Sequence, residues 1–524
     1  MTINDIYPKS CTFLTTEIIN NIQSNHNDHA ILESLSEILS SVENIPPFVQ
    51  DIAKLERALY TIRLNNIKIP RSVDHMSVNP TLHLLDLEWS GLWSFLTEES
   101  DSTLKPGPNS EMVAIYRNPK NNKIEVVPAG NEIVLAIKII IENIKWETVC
   151  ETGGYTLRDI DTVIEMAVTK GILLKPQPKI IRIFKNVPAA QTFHNEFLVS
   201  DFFTLQWHIT QTCDLHCKHC YDRSNREEMH IKKAIAVLDD LRNFCQGRNV
   251  KGQVSFSGGN PLLYPNFIEL YKAAADRGFA LAILGNPTGK EMLEKILEIE
   301  EPEFFQVSLE GLQDHNDNIR GGGNYLNVLD FLHLLKQYKI YSMVMLTITK
   351  ENIEQVLPLA EVLRDKTDQF NFNRLAMVGE GAQLQSPDIK KYTAFLETYL
   401  EETKNNPTMG TKDNLLNIIY NKKNINLFGG CTGYGCGAAF NFMTLLSDGE
   451  MHACRKLPSL LGNAFDESLE DIYESSTAEK YRQGCVECAN CEIRPACGGC
   501  LAVSYGCGID IFNERDPYCF IDNY

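Results

Sequence analysis

The sequence has no apolar run long enough to cross a bilayer. Its longest, around Ile133–Ile141, is interrupted by Lys138, and a membrane helix needs about 20 consecutive apolar residues. Basic residues are scarce as well: 49 Lys and Arg face 68 Asp and Glu, for a formal charge of −19. A nucleic-acid binder needs a basic footprint for phosphates, and a protein held on an anionic membrane needs the same, so the balance argues against both partners. The opening residues, Met1-Thr2-Ile3-Asn4-Asp5, lack the charged and apolar regions of a secretory signal, which predicts a cytoplasmic protein. Internal repeats and low-complexity tracts are missing too. Apolar material is not lacking: 44% hydrophobic against 22% charged residues describes a globular chain with sizeable cores. Single cores stop growing at about 250–300 residues, so a chain of 524 residues is expected to hold several domains.

The chain also has 16 cysteines, unevenly placed. Three fall within Cys213–Cys220 and ten within Cys431–Cys519, while Cys11, Cys150 and Cys245 stand alone. In a reducing cytoplasm, clustered cysteines point to metal ligation before disulfides.

Residues 1–108 read as mostly helical. Ile31, Leu32, Leu35, Ile38 and Leu39 recur at helical spacing, and a second helix is predicted over Val49–Leu64. Residues 109–190 change character. Met112–Tyr116 and Lys123–Val127 predict a hairpin around the turn Asn118-Pro119-Lys120-Asn121-Asn122. Helices follow over Asn131–Ile144 and from a Thr156 cap to Gly171. Residues 200–385 alternate six strands (Leu205–Thr210, Gln253–Ser257, Ala280–Leu284, Phe304–Leu309, Tyr341–Ile348, Phe370–Leu375) with five helices. That alternation predicts a parallel, barrel-like α/β sheet with its chemistry at the strand C-terminal ends. Residues 386–428 read as a helical connector. The remainder, 429–524, has little regular periodicity, and so few apolar runs suggest a fold that depends on bound metal.

After the first barrel strand stands Cys213-x3-Cys217-x2-Cys220. Three thiolates on one loop hold three corners of a [4Fe–4S] cluster and leave one iron open; a zinc site with His216 or His219 as fourth ligand is the competing chemistry. The motif resembles that of the radical S-adenosylmethionine (SAM) enzymes, and the downstream order of motifs agrees. Gly258-Gly259-Asn260-Pro261 follows the second strand, with Asn260 where the family usually has Glu. Asn286 follows the third strand. Ser308 and Glu310 follow the fourth, ahead of Arg320. The resemblance implies that these residues bind SAM, with Ser308 on the ribose and Arg320 on the carboxylate, for which its forked guanidinium is suited. It also implies a partial (β/α)6 barrel. In that family SAM chelates the open iron and is cleaved reductively to a 5′-deoxyadenosyl radical.

The tail, with Cys431-x4-Cys436 and Cys454 followed by Cys488-x2-Cys491-x5-Cys497-x2-Cys500 and Cys519, resembles the SPASM extension of radical SAM peptide-modifying enzymes. The resemblance implies two fully ligated [4Fe–4S] clusters, three in all with the SAM cluster. Cys431, Cys436, Cys454 and Cys500 would hold the nearer one. Cys488, Cys491, Cys497 and Cys519 would hold the farther one. Cys485 and Cys507 lie close by as alternative thiols, since the family commonly has three residues, not two, before the position of Cys500. Two structural zinc sites are the competing reading.

Residues 109–190 resemble the winged-helix-like recognition element of many peptide maturases, where a leader peptide adds a strand beside the hairpin; a spacer subdomain is the alternative. The resemblances together imply a maturase of a ribosomally made precursor peptide, forming a thioether or other crosslink. It would be fed electrons by a low-potential donor such as ferredoxin or flavodoxin. A sulfatase-maturase activity is weaker, because that family's base follows the cysteine matching Cys454, and here Arg455 stands there and cannot take a proton. Glu380 and Asp448 are substitute bases, and His208 and His219 lie nearest the SAM loop. A non-catalytic electron carrier and a zinc-stabilised scaffold complete the alternatives.

Overall fold

The computed structural model describes residues 3–65, 67–96, 106–185 and 195–523, the side chains of Asp28, Leu32, Asn195 and Asn523 excepted. The expected apolar position at Leu32 and the end of the expected recognition element, 186–190, lie outside the described residues. The chain divides into two compact units, Met1–Gln177 and Pro178–Tyr524.

In the first unit the helix Val49–Leu64 has the bounds its periodicity predicts. Its buried face, including Ile52, Leu55 and Ile62, packs on Leu87, Val113 and Ile115. The expected hairpin forms from Glu111–Arg117 and Ile124–Pro128. A further strand, His83–Leu87, pairs along the other side of Glu111–Arg117. Residues 1–108 thus carry helices up to Leu64 and, in His83–Leu87, a strand whose partner lies beyond 108. The middle strand shows why its sequence is an unbroken apolar run. Val113 and Ile115 face the long helix, while Ala114 and Tyr116 face Ile133, Ala136, Ile160 and Ile164 of the helices Asn131–Ile141 and Leu157–Lys170. A strand covered on both faces loses its polar alternation. The last helix starts at a reciprocal cap between Thr156 and Asp159 and ends at Gly171 in the left-handed conformation.

The second unit is built on a nine-stranded sheet. Its strands in chain order are β1 (Phe202–Thr210), β2 (Lys251–Gly258), β3 (Ala280–Leu284), β4 (Phe304–Ser308), β5 (Ser342–Ile348), β6 (Gln369–Arg374), β7 (Phe442–Leu445), β8 (Glu450–His452) and β9 (Leu460–Asn463). The first six are parallel and pair in sequence order, with helices between them, as expected for the partial barrel. A difference lies in the tail. β7 pairs parallel to β1 on its free side and carries β8 and β9 antiparallel. The cysteine-rich segment is therefore continuous with the barrel sheet. Three strands of only three or four residues leave almost no periodicity to read.

Alternation along the barrel strands sets the site. Phe203, Leu205, Trp207 and Ile209 of β1 join the main core with Ala234, Val237, Leu238 and Leu241 of the helix Ile231–Arg248. The alternate residues bond to polar side chains of other segments: Thr204 to Gln253, Gln206 to Thr444, His208 to Tyr221, and Thr210 to Glu228. The period of two sends apolar side chains to the helices and polar ones to the barrel interior.

Candidate active site

The C-terminal ends of the barrel strands surround a cavity of about 450 Å³. Cys213, Cys217 and Cys220, on the loop after β1, line it together. Gly258 and Gly259 after β2, Asn286 after β3, Ser308 at the end of β4, and Arg320 line it too. Arg320 closes a short helix, Gln313–Arg320, that the sequence reading did not single out. Asn260, Pro261 and Glu310 stand outside the lining. Asn260 caps the turn Pro261–Leu263, accepting the Leu262 N–H at 3.3 Å.

The two glycines have a cause in the backbone. Gly258 has φ +125°, and a Cβ there would lie 2.3 Å from the Thr210 carbonyl oxygen; at Gly259 it would lie 2.2 Å from that of Thr212. Their closest neighbours are thus the strand end and loop that carry Cys213. The N–H groups of Gly259 and Asn260 donate to Thr210 and Thr212, each at 2.8 Å. Close approach with a positive φ is what glycine alone tolerates.

Glu310 is buried at 2% exposure and organises the other wall. Its Oε1 accepts from Arg320 Nε and Nη2 at 3.0 and 2.6 Å, and lies 3.3 Å from His219 Nε2. Its Oε2 accepts the Thr347 N–H at 2.8 Å. Burial would raise its pKa, but His219, Arg320 and the Thr347 N–H outweigh that and hold it below the usual carboxylate range. Arg320 Nη1 in turn reaches the Cys217 sulfur at 3.7 Å. Burial pushes the Cys217 and Cys220 thiols up, while Arg320 pulls Cys217 the other way. Three thiols on one loop, Cys213 exposed and Cys217 and Cys220 half-buried, fit three corners of a cluster, and binding would release their protons. His208 is buried on β1, with Nε2 3.1 Å from the Tyr221 hydroxyl. Burial, with Arg455 next, pulls it down to about 3.

The eight remaining candidate ligands fall into two separate groups. Cys431, Cys436, Cys454 and Cys500 line one cavity of about 110 Å³. Cys488, Cys491, Cys497 and Cys519 line another of about 20 Å³. Among the described residues no three His, Cys, Asp or Glu side chains converge on a single ion site; each set of four thiols rings a volume instead, a donor set that fits a cluster. Cys485 and Cys507 line neither cavity. Cys485 instead shares a side-chain hydrogen bond with Cys488.

Residues the sequence reading missed hold these loops. Asn414 accepts the Cys431 N–H at 2.7 Å and donates to the Gly499 carbonyl at 2.5 Å. Arg182 donates to the Cys436 carbonyl at 2.7 Å. Asp516 accepts the Cys500 N–H at 2.8 Å and is itself held by Arg374 of β6. No local pattern marks these residues, because each acts across a long sequence separation. Arg374, Asn373, Arg455 and Lys456 line both the three-cysteine cavity and the nearer four-thiol cavity. Arg455 and Lys456 also line an adjoining cleft of about 410 Å³. Burial first, then Arg455, lowers the Lys456 ammonium to about 8. Of the substitute bases, Asp448 is tied to Arg226, and the Glu380 N–H donates to the Cys220 carbonyl at 2.9 Å.

Residues 207–363 match the Radical SAM superfamily, and residues 436–500 match the iron-sulfur cluster-binding domain SPASM. The chain thus carries a radical SAM domain followed by a SPASM domain. The chain is 24% identical over 339 residues to the AdoMet-dependent heme synthase of Methanosarcina barkeri, covering 60% of this chain and 95% of that protein. It is 25% identical over 330 residues to the antilisterial bacteriocin subtilosin biosynthesis protein AlbA of Bacillus subtilis, covering 58% and 68%. In fold it is similar to the crystal structure of Streptococcus suis SuiB bound to precursor peptide SuiA. That match has a TM-score of 0.52 and 17% identity, and covers 78% of this chain and 96% of that chain.

Proposed function

We propose that this radical SAM protein modifies a ribosomally made precursor peptide, with a thioether as the favoured product. The observation that carries the reading is the division of eight tail cysteines into two four-thiol cages, the nearer sharing a wall with the SAM-side cavity. In this reading Cys213, Cys217 and Cys220 hold the SAM cluster and the two cages hold auxiliary clusters, three [4Fe–4S] clusters in all. When bound, SAM and its cluster supply a 5′-deoxyadenosyl radical that takes a hydrogen atom from an unreactive C–H bond. The chain's own part is to confine that radical. Glu310 locks Arg320, the glycines fix the cysteine loop, and Arg374, Arg455 and Lys456 fill the wall toward the nearer cage.

The first unit supplies the peptide-recognition element in this proposal. Among the described residues, Ile124–Pro128 is an edge of the three-stranded sheet, able to pair with an added leader strand. The SuiB match supports this reading, because the second unit alone is about two thirds of the chain and a 78% match reaches into the first. A ferredoxin or flavodoxin in a reducing cytoplasm would be the electron source.

A heme-forming activity is the second reading, favoured by the 95% coverage of the heme synthase. The test uses anaerobically reconstituted full-length protein. About twelve irons per chain, three clusters of four, are expected, with reductive release of 5′-deoxyadenosine from SAM. A peptide encoded beside the gene, co-expressed with the protein, should lose two hydrogens per crosslink by mass spectrometry. Formation of heme from an added iron porphyrin precursor, with no change in any such peptide, would favour the second reading. Zinc in place of iron, or no SAM cleavage, would refute both.

A further inference from the structure

We propose that Arg455 and Lys456 form a carboxylate-binding pair that selects an acidic group of the substrate peptide, held in the cleft beside the three-cysteine cavity. The inference deepens the peptide reading and rests on it.

The two residues follow Cys454 directly. They line three volumes at once: the three-cysteine cavity, the nearer four-thiol cavity, and the adjoining cleft of about 410 Å³. Both are half-buried. Among the described residues, neither side chain has a hydrogen bond or a carboxylate within 4.0 Å.

The other charged groups of these walls are already matched. Among the described residues, Asp222 is the acidic residue that lines the cleft, and it accepts from Ser224 and Gln211. Arg226 is held by Asp448 and Glu450. Glu450 also meets His452 Nε2 at 3.1 Å, and His452 Nδ1 accepts the Ser459 N–H at 3.0 Å. Asp413, in the wall of the nearer cage, is taken up by Arg374. Two positive charges are left over, and they are adjacent.

A bound cluster would offset them on the cage side, because its ligands bind as thiolates. The cleft side is different, since no cysteine lines it. Two neighbouring cations facing a volume without thiol or free carboxylate repel each other, and an anion placed between them relieves both. Arg455 offers a planar fork that matches a carboxylate, and Lys456 adds a point charge. Met377, Val378, Leu446, Leu457 and Pro458 give the cleft apolar walls, and Tyr505, 45% exposed, brings its rim to solvent. A mostly apolar cleft with a few placed charges is the usual form of a selective ligand site. It fits an acidic residue flanked by apolar ones.

The test is calorimetric titration of the anaerobically reconstituted full chain, with SAM present, using three synthetic peptides. N-acetyl-Leu-Glu-Leu-amide carries a side-chain carboxylate. N-acetyl-Leu-Gln-Leu-amide carries none, and the same neutral peptide with a free C-terminus carries a terminal one. At least one acidic peptide is expected to bind about tenfold more tightly than the neutral one; which one does so identifies the carboxylate as side-chain or terminal. The preference should vanish in iron-loaded Arg455→Gln with Lys456→Gln. The charge-keeping exchange, Arg455→Lys with Lys456→Arg, should retain it. Equal affinity for all three peptides in the wild type, or no binding of any, overturns the proposal. So does an iron-loaded neutral variant that keeps the preference, which would leave the pair as a counter-charge for the nearer cluster. If the neutral double variant loses iron, the two single variants decide: a preference undiminished in both overturns the proposal. Failure to form 5′-deoxyadenosine under reduction overturns the maturase reading and not this one, since none of the titrations requires SAM cleavage.

Discussion

Arg374 is the residue whose loss should be felt most widely. It ends β6, and its side chain is 4% exposed between Asp413 and Asp516, at 6% and 3%. Nε meets Asp413 at 2.7 Å, and Nη1 and Nη2 meet Asp516 at 2.8 Å each. Burial alone would depress the guanidinium, but the two carboxylates outweigh it and hold its pKa well above the ordinary value. Both carboxylates have second duties. Asp413 accepts the Leu415 N–H, and Asp516 accepts the N–H groups of Tyr518 and Cys500. Replacing Arg374 by Met keeps length and removes charge, leaving two buried carboxylates without a cation. Removing one partner of a buried ion pair costs about 3–5 kcal/mol, equivalent to a rise in unfolded population of roughly a hundredfold to five-thousandfold. An exposed pair would cost under about 1 kcal/mol.

Trp207 gives the assay. It is fully buried in the barrel, whereas Trp89, Trp93 and Trp146 lie in the first unit. With those three changed to Phe, Trp207 fluorescence reports urea unfolding of the second unit alone. Arg374→Met should lower the unfolding free energy by about 3–5 kcal/mol. The triple variant Arg374→Met, Asp413→Asn, Asp516→Asn should regain most of that, because the stranded charge is gone while the backbone donors keep an acceptor. A loss below about 1 kcal/mol for the single variant, or no recovery in the triple, would refute the assignment of this triad as a buried charge clamp.

Three further outcomes follow from the same geometry. Gly259→Ala drives a Cβ to 2.2 Å from the Thr212 carbonyl oxygen, so it should displace the cysteine loop; EPR of the reduced protein should no longer change on SAM addition, while tail-cluster iron stays. Cys454→Ala and Cys491→Ala should each remove about four irons per chain, and Cys507→Ala none; loss of iron in Cys507→Ala would reassign a ligand. His208 should make the fold acid-sensitive. Its pKa falls from 6.5 to about 3 on folding, through burial and then Arg455. Below pH 6.5 the unfolded chain therefore binds a proton the folded one refuses, so stability drops as pH falls, by roughly 2 kcal/mol at pH 5. His208→Asn should flatten that slope, and an unchanged slope between pH 6.5 and 5 would count against it.

What could be read in the sequence was what depends on near neighbours. The six barrel strands were legible because each alternates or runs apolar over five or more residues between helices. The Val49–Leu64 and Leu157–Lys170 helices were legible from period and cap. The three-cysteine loop was legible because its ligands sit seven residues apart from first to last. His83–Leu87 was missed because its partner strand lies across a long intervening segment. Asn414, Arg374 and Asp516 were missed for the same reason: a buried polar residue that holds a loop from another element leaves no periodic mark. Asn260 was noted as a departure, but its partner needed the fold: its Nδ2 donates to Asp214 Oδ1, which also accepts from Asn286 after β3.

The position of β7 bears on how the two sets of cysteines could work together. Were the tail a separate module on a linker, its cages could drift relative to the SAM loop. Here β7 extends the barrel sheet beside β1, the strand that delivers Cys213. Cys454 follows β8, paired to β7, and Cys436 precedes β7. Arg374 closes the other side, since it ends β6 and holds Asp516, which caps the Cys500 N–H. The nearer cage is therefore fixed to both edges of the parallel barrel, β1 and β6, by hydrogen bonds of the sheet and by a buried ion triad. Sheet and triad together tie the nearer cage to the strand that delivers Cys213 and to the far edge of the barrel, so the two sets of cysteines share one framework.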